Sequence, residues 1–399
     1  MSNSIAVNKN SDTRAWICAI LLFVISYPKW FWVNVNIPTI ASVLLLLVAF
    51  NDISNNKNGR IAGIVALLCQ FVILYVNTSV TTPRFNLIGF SLLVIKWLGF
   101  STLFLCSTCF WKKCVDCFVK LLAILLVVAI IEHVMVGLLG LRTVSPSYAE
   151  CPNNPHRGYK VFLFTVYLEG SFDNINNRFY AFYDEPGVLG NIIMVLLYIQ
   201  RFNLKKWYNI VFLISGLLSL SLAFYIALIV YYVLFGKLRT KIGFLVIGGI
   251  LMYYFYGNEY INNMVFERLT FEEDGSLAGY NRENIGFSYW IYEIDWKDYL
   301  FWGYQPSNAV PYAASWKWAF ALYGIIPSII YLLVISIQYA KQVLQIKDVL
   351  LGYILMVIIW IQRPCVHWYL YVFLIVIPFI YLSRDTNQNN KELCYDNNR

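Results

Sequence analysis

Apolar runs of roughly 14–25 residues recur along the chain, parted by short polar stretches. About 20 apolar residues cross the hydrocarbon core of a bilayer, fewer where the flanks help. The pattern predicts helices at 15–33, 36–50, 61–80, 86–110, 119–140, 187–200, 207–220, 222–236, 241–256, 317–338, 348–361 and 366–382. The split of 207–236 rests on Ser215-Gly-Leu-Leu-Ser-Leu-Ser221, read as a tight turn between two antiparallel helices. No small-residue cleavage site follows the first apolar run, so it reads as a retained helix. Two stretches break the rhythm of short connections, 141–186 and 257–316. Connections of that length are functional or disordered, and these carry too many aromatics for disorder.

Charge orients the predicted helices. With the N-terminus in the cytoplasm, the short inner loops hold Lys57, Arg60, Lys112, Lys113, Lys120, Arg201, Lys205, Lys206, Lys237, Arg239, Lys241, Lys341 and Lys347. The short outer loops hold only Arg84 and Arg363. That bias follows the positive-inside rule. It predicts an all-α, polytopic bundle of about 12 helices, one membrane domain over 1–399, with both termini cytoplasmic. Both long loops then face outward.

Composition agrees. Hydrophobic residues make up 59% of the chain and charged ones 13%, against about 25% charged in soluble domains. The net charge of +8 follows topology and gives no sign of nucleic acid. Cys106, Cys109, Cys114 and Cys117 form two C-x-x-C pairs, but their separation is short for a zinc ribbon and they flank apolar helix. They read as packing residues. No phosphate-binding P-loop, dinucleotide fingerprint or zinc-protease motif is present, and no metal or cofactor is expected.

The candidate chemistry lies in the two long loops. The first ends in Arg178-Phe-Tyr-Ala-Phe-Tyr-Asp-Glu-Pro-Gly-Val-Leu-Gly-Asn191. Pro186 suits the first turn of a helix, Gly187 and Gly190 permit close approach, and a helix N-terminus favours an anion. The second loop has nine acids and three bases, so Arg268 and Arg282 stand out. Arg178, Arg268 and Arg282 offer planar forks to phosphate oxygens, and Glu185 is placed to accept a proton. Each residue also has a plain structural reading. Arg178 can pair with Asp184 or Glu185, Arg268 with Glu267, and Arg282 with Glu283.

Residues 289–302 alternate aromatics with charges. They read as an interfacial helix with Trp290, Ile294 and Phe301 toward lipid, or as stacking platforms for sugar rings at Trp290, Trp296 and Trp302. His367, in the outer turn before the last helix, is a further candidate substrate contact. Lys96 falls near the middle of its helix. Glu132 and His133 fall at the outer end of theirs, and the remaining histidine is His156.

These motifs resemble the O-antigen polymerase (Wzy) family and its ligase relatives. The resemblance rests on Arg178-Phe-Tyr-Ala-Phe-Tyr-Asp-Glu-Pro-Gly187 leading into a helix, and on the Ser219-Leu-Ser221 turn. The second loop adds Glu267-Arg-Leu, Asn281-Arg-Glu and Leu300-Phe-Trp-Gly-Tyr304, and Tyr323-Gly-Ile-Ile-Pro327 follows it. A second glycine after Gly303 is missing from the pattern. The resemblance implies a bacterial inner-membrane glycosyltransferase of lipopolysaccharide biosynthesis. It would move a growing chain from undecaprenyl pyrophosphate to a sugar hydroxyl of the next lipid-linked unit, with a chain-length regulator as a partner. The alternatives are an O-antigen ligase and a flippase or transporter of the same lipid-linked units. The ligase is disfavoured by the lack of His in 257–316, the transporter by the scarcity of midplane charge.

Overall fold

The computed structural model describes residues 2–32, 36–52, 105–141, 145–151, 154–169, 178–237, 285–301, 324–340, 346–362 and 369–382, with scattered positions between them. The expected helices 61–80, most of 86–110 and most of 241–256, with Lys96, lie outside the described residues. The protein is mostly helical. Its chain divides into two compact units: residues 1–122 with 285–399, and Ala123–Asn284.

In the first unit α1 (Ser2–Ile25) packs on α2 (Ile37–Ala49). Helix α1 stops well before the expected residue 33. Tyr27 turns left-handed at φ 57°, and Pro28 cannot continue the i to i−4 ladder. The next long helix, α3 (Thr108–Glu132), begins eleven residues before the expected 119. Ser107 starts it by accepting the Phe110 N–H at 3.3 Å. Phe110, Trp111, Cys114, Val115 and Phe118 are buried, while Lys112, Lys113 and Asp116 are only half-buried on the opposite face. Lys112, Lys113 and Lys120 therefore sit on a helix, where a loop was expected. Charges bind its start to neighbours: Lys113 to Asp12 at 3.4 Å and Asp116 to the Tyr381 hydroxyl at 2.9 Å. Arg14 and Asp52 pair at 2.6 Å.

The short helix α7 (Ile285–Glu293) and the 3₁₀ turn Trp296–Tyr299 also belong to this unit. Ile291 is buried, and Trp290, Ile294 and Trp296 pack around it. Tyr289, Tyr292 and Phe301 are exposed, whereas Trp290 and Ile294 are half-buried against Ile291. Helices α8 (Ile325–Ala340), α9 (Ile346–Gln362) and α10 (Tyr369–Leu382) complete the unit, and α10 contacts both others.

The second unit contains the last turns of α3, a π-helical turn His133–Leu138, a small sheet, and α4 (Pro186–Ile199), α5 (Trp207–Leu218) and α6 (Leu222–Phe235). The sheet departs from the all-α expectation. Strands β1 (Ser147–Cys151), β2 (Asn154–Val161) and β3 (Val166–Leu168) run antiparallel in that order. Pro155 is tolerated in the central strand because the register jumps there, from Glu150↔Gly158 to Cys151↔Asn154.

Helix α4 is apolar all round and buried along almost its whole length, as expected of a core helix. Helices α5 and α6 lie against it. Their outer faces carry exposed apolar stripes, Ile210, Ile214 and Leu217 on α5 and Ile226, Ile229 and Val233 on α6. One described helix, Cys109–Leu138, is long and apolar enough to cross a membrane. Helices α2, α4, α5, α6 and Leu350–Ile361 of α9 are apolar but shorter.

Phe224 of α6 packs its ring on Gly216 of α5, where any β-carbon would collide with it. Replacing Gly216 by Val is expected to cost about 1–3 kcal/mol and to lower the melting temperature in detergent. An unchanged transition would show that Phe224 has room to move aside.

Candidate functional site

Helices end with carbonyls that lack an intrahelical partner. The α5–α6 turn has three such groups in a row, and one segment takes all three. Phe179 N–H donates to the Leu218 carbonyl at 3.1 Å. Arg178 donates through Nε to Ser219 at 3.3 Å and through Nη2 to Leu220 at 2.9 Å. Leu220 is left-handed at φ 47°, an uncommon state for a non-glycine residue. Its carbonyl is thereby turned toward the guanidinium. Ser219 tightens the turn by donating to the Gly216 carbonyl at 2.7 Å and accepting the Ser221 N–H at 3.3 Å.

The segment then passes through a second left-handed residue, Ala181, at φ 47°. The Ala181 carbonyl accepts the Val166 N–H at 2.8 Å, which ties the segment to β3. Phe179, Ala181, Phe182 and Tyr183 are buried. Glu185, extended at φ −142°, precedes α4, and Pro186 occupies its first turn. The carbonyl of Glu185 accepts the Val188 N–H at 3.1 Å, and no N-cap bond comes from its side chain. Gly190 works as the sequence suggested. A β-carbon there would meet Cβ and Oγ of Ser221 at 2.8 Å, so α4 and the α5–α6 turn touch.

A carboxylate organises the other side. Glu132, at the end of α3, accepts from Leu163 N–H at 3.0 Å, Phe164 N–H at 2.7 Å and the Thr165 hydroxyl at 2.7 Å. These three donors form the β2–β3 turn. One residue on, His133 Nδ1 and the Tyr167 hydroxyl share a hydrogen bond of 2.9 Å, and the His133 ring lies 5.0 Å from that of Phe179. Gly137 leaves the space this pair needs, since a β-carbon there would lie 2.8 Å from the Tyr167 oxygen. A π-turn at this point (residues 133–138) is of the kind that clusters at functional sites. Asn191, 1% exposed on the second turn of α4, has neither side-chain atom hydrogen-bonded.

Compared with known proteins, the chain matches no family model, no curated protein and no solved structure.

The structure thus brings Arg178, Glu185 and the Ser219–Ser221 turn into one unit. Arg268, Arg282, Trp302, His367 and the side chain of His156 lie outside the described residues. Trp290 and Trp296 are half-buried in the first unit. The Glu132 and His133 partnerships were not foreseen. Both residues had been noted at a helix end, yet Thr165 and Tyr167 carried no local signal. Among the described residues no cluster of His, Cys, Asp and Glu is suited to a metal.

Glu132→Ala is expected to leave three donors of the β2–β3 turn without their acceptor, at a cost of about 1–3 kcal/mol. Amide hydrogen exchange at Leu163 and Phe164 should speed up markedly, with β1–β2 amides little changed. Unchanged exchange at both amides would show that water serves as well as the carboxylate.

Proposed function

We propose that the protein polymerises lipid-linked oligosaccharide units at the outer face of a bacterial inner membrane, within a bundle of about twelve transmembrane helices. The observation that carries this reading is the Arg178–Pro186 segment. It holds the Arg178 guanidinium on the α5–α6 turn and leads through Glu185 into the N-terminus of a buried apolar helix. The helix dipole and the arginine both favour an anion there. The apolar composition, the positive-inside bias and the motif resemblance support the same reading.

In the proposed reaction the bond between the sugar anomeric carbon and the pyrophosphate oxygen of the donor breaks. Its electron pair leaves with undecaprenyl pyrophosphate. A hydroxyl oxygen of the acceptor unit forms the new bond to that carbon, and Glu185 takes the hydroxyl proton. Arg178, with Arg268 and Arg282 of the second loop, stabilises charge growing on the leaving pyrophosphate. The leaving group is already activated, so the proposal needs no nucleotide. Trp290, Trp296, Trp302 and His367 are the proposed sugar contacts, and a chain-length regulator is the proposed protein partner.

The first experiment is deletion of the gene in its native strain, followed by a gel of surface lipopolysaccharide. The expected result is loss of the ladder with a core-plus-one-unit band retained. Loss of every band above the core would point to ligation or flipping, and an unchanged ladder would overturn the proposal. Complementation then tests residues. Glu185→Gln and Arg282→Ala are expected to abolish long chains at normal membrane levels of protein. Arg178→Lys should also fail, because one ammonium cannot reproduce a fork held on two carbonyls. A wild-type ladder from any of them removes that residue from the site.

A further inference from the structure

Helices α4, α5 and α6 share one end marked by cations. Arg201 and Lys205 follow α4, Lys206 precedes α5, and Lys237 follows α6, all exposed. Trp207 is exposed beside them, and Lys206 lies 5.6 Å from the Tyr208 ring. Lys206 Nζ donates to Gln200 at 3.1 Å, and Asn209 donates to the Asn203 carbonyl at 2.9 Å. Cations with Trp and Tyr mark a membrane–water boundary. From it α4 and α6 rise 14 residues each and α5 rises 12. At ~1.5 Å per residue these are about 21 Å and 18 Å, while the hydrocarbon core is about 30 Å thick. The far ends, which carry Glu185 and the Ser219–Ser221 turn, fall short of the other surface by roughly 9–12 Å.

Helix α3 points in the same direction. Its exposed apolar stripe runs through Ile124, Val127, Val128 and Ile131, then continues past Glu132 through Val134, Met135, Leu138 and Leu139. Leu139 is 65% exposed. Side chains suited to lipid therefore continue over the π-turn His133–Leu138, past the level at which Glu132 holds the β2–β3 turn.

We propose that the Arg178–Glu185 segment and the Ser219–Ser221 turn lie inside the hydrocarbon layer of one leaflet, so that their ligand is an anionic head group brought through the bilayer on a lipid tail. The close pairing of backbone there fits this depth. Irregular backbone is tolerated at membrane depth only where protein or a polar cavity satisfies it, and Arg178, Phe179 and Glu132 do so for two turns. Asn191, one turn deeper on α4, adds an amide with no protein partner for either atom. A buried amide of this kind takes its hydrogen bonds from water or ligand. The depth rests on the membrane placement proposed above, and the ligand class rests on the proposed reaction as well.

The test uses the full chain in lipid nanodiscs. Ile131, Leu217 and Leu220 are replaced one at a time by p-acetylphenylalanine carrying a nitroxide, with Tyr148 as the water reference. Ile131 and Leu217 are expected to favour oxygen over a water-soluble nickel chelate several-fold more than Tyr148 does, with Leu217 deeper than Ile214 labelled likewise. Nickel access at Leu217 or Ile131 equal to that at Tyr148 would overturn the recess. Undecaprenyl pyrophosphate added to the nanodisc lipid is expected to slow the label at Leu220, and inorganic pyrophosphate in the water is not. Equal slowing by both would overturn the route through the bilayer. A recessed profile in a protein whose deletion leaves the ladder unchanged would uphold the depth and remove the polymerase reading.

Discussion

Backbone that leaves a helix in apolar surroundings has to find new partners for its polar groups. The second unit meets that demand twice, with opposite charges. At the α5–α6 turn the exposed groups are carbonyls, and a guanidinium takes two of them. At the β2–β3 turn they are two amides and a hydroxyl, and a carboxylate takes all three. Hydrogen bonds to ionised groups contribute roughly twice what neutral ones do. The two charges are therefore stable where they are, and the turns are stable because the charges are there. Val166 N–H on the Ala181 carbonyl joins the two arrangements.

This arrangement constrains what Arg178 can do. A surface arginine would swing toward any ligand. Here Nε and Nη2 are committed to backbone, so the charge stays fixed in place. Preorganised charge is worth more to a developing anion than mobile charge, because no reorganisation accompanies the reaction. The same commitment makes Arg178 structural, so under the proposed reaction its removal would act in two ways.

The parts of this architecture that were legible in the sequence are local. Pro186 marks the start of α4 because its ring fixes φ and its absent N–H is not needed there. The Ser219-Leu-Ser221 turn could be placed because serines favour turns over helix interiors. The sheet was not legible. Ser147–Cys151 has little alternation, Pro155 argues against a central strand, and its acceptability depends on a register jump set by β1. The early start of α3 was missed for a related reason. Lys112, Lys113 and Asp116 resemble a loop until Phe110, Trp111, Cys114 and Phe118 are seen to share the buried face. Glu132 and Thr165 are 33 residues apart, and neither predicts the other.

The lengths of these helices were legible in the sequence, since 187–200, 207–220 and 222–236 lie within two residues of α4, α5 and α6. They were read as full spans although each is shorter than the roughly 20 residues a bilayer asks for. The structure shows helices of 14, 12 and 14 residues, bounded by Gly236 and the basic turns at one end and by the Arg178 and Ser219–Ser221 turns at the other. A full span would have exposed those turns to water, which satisfies a carbonyl without help. In the proposed bilayer, stopping short would remove that help, which would give a physical reason for an arginine at 178 and a glutamate at 132. Under that proposal the short helices and the committed charges are two expressions of one constraint, and a ligand that met them would also have to leave water to do so.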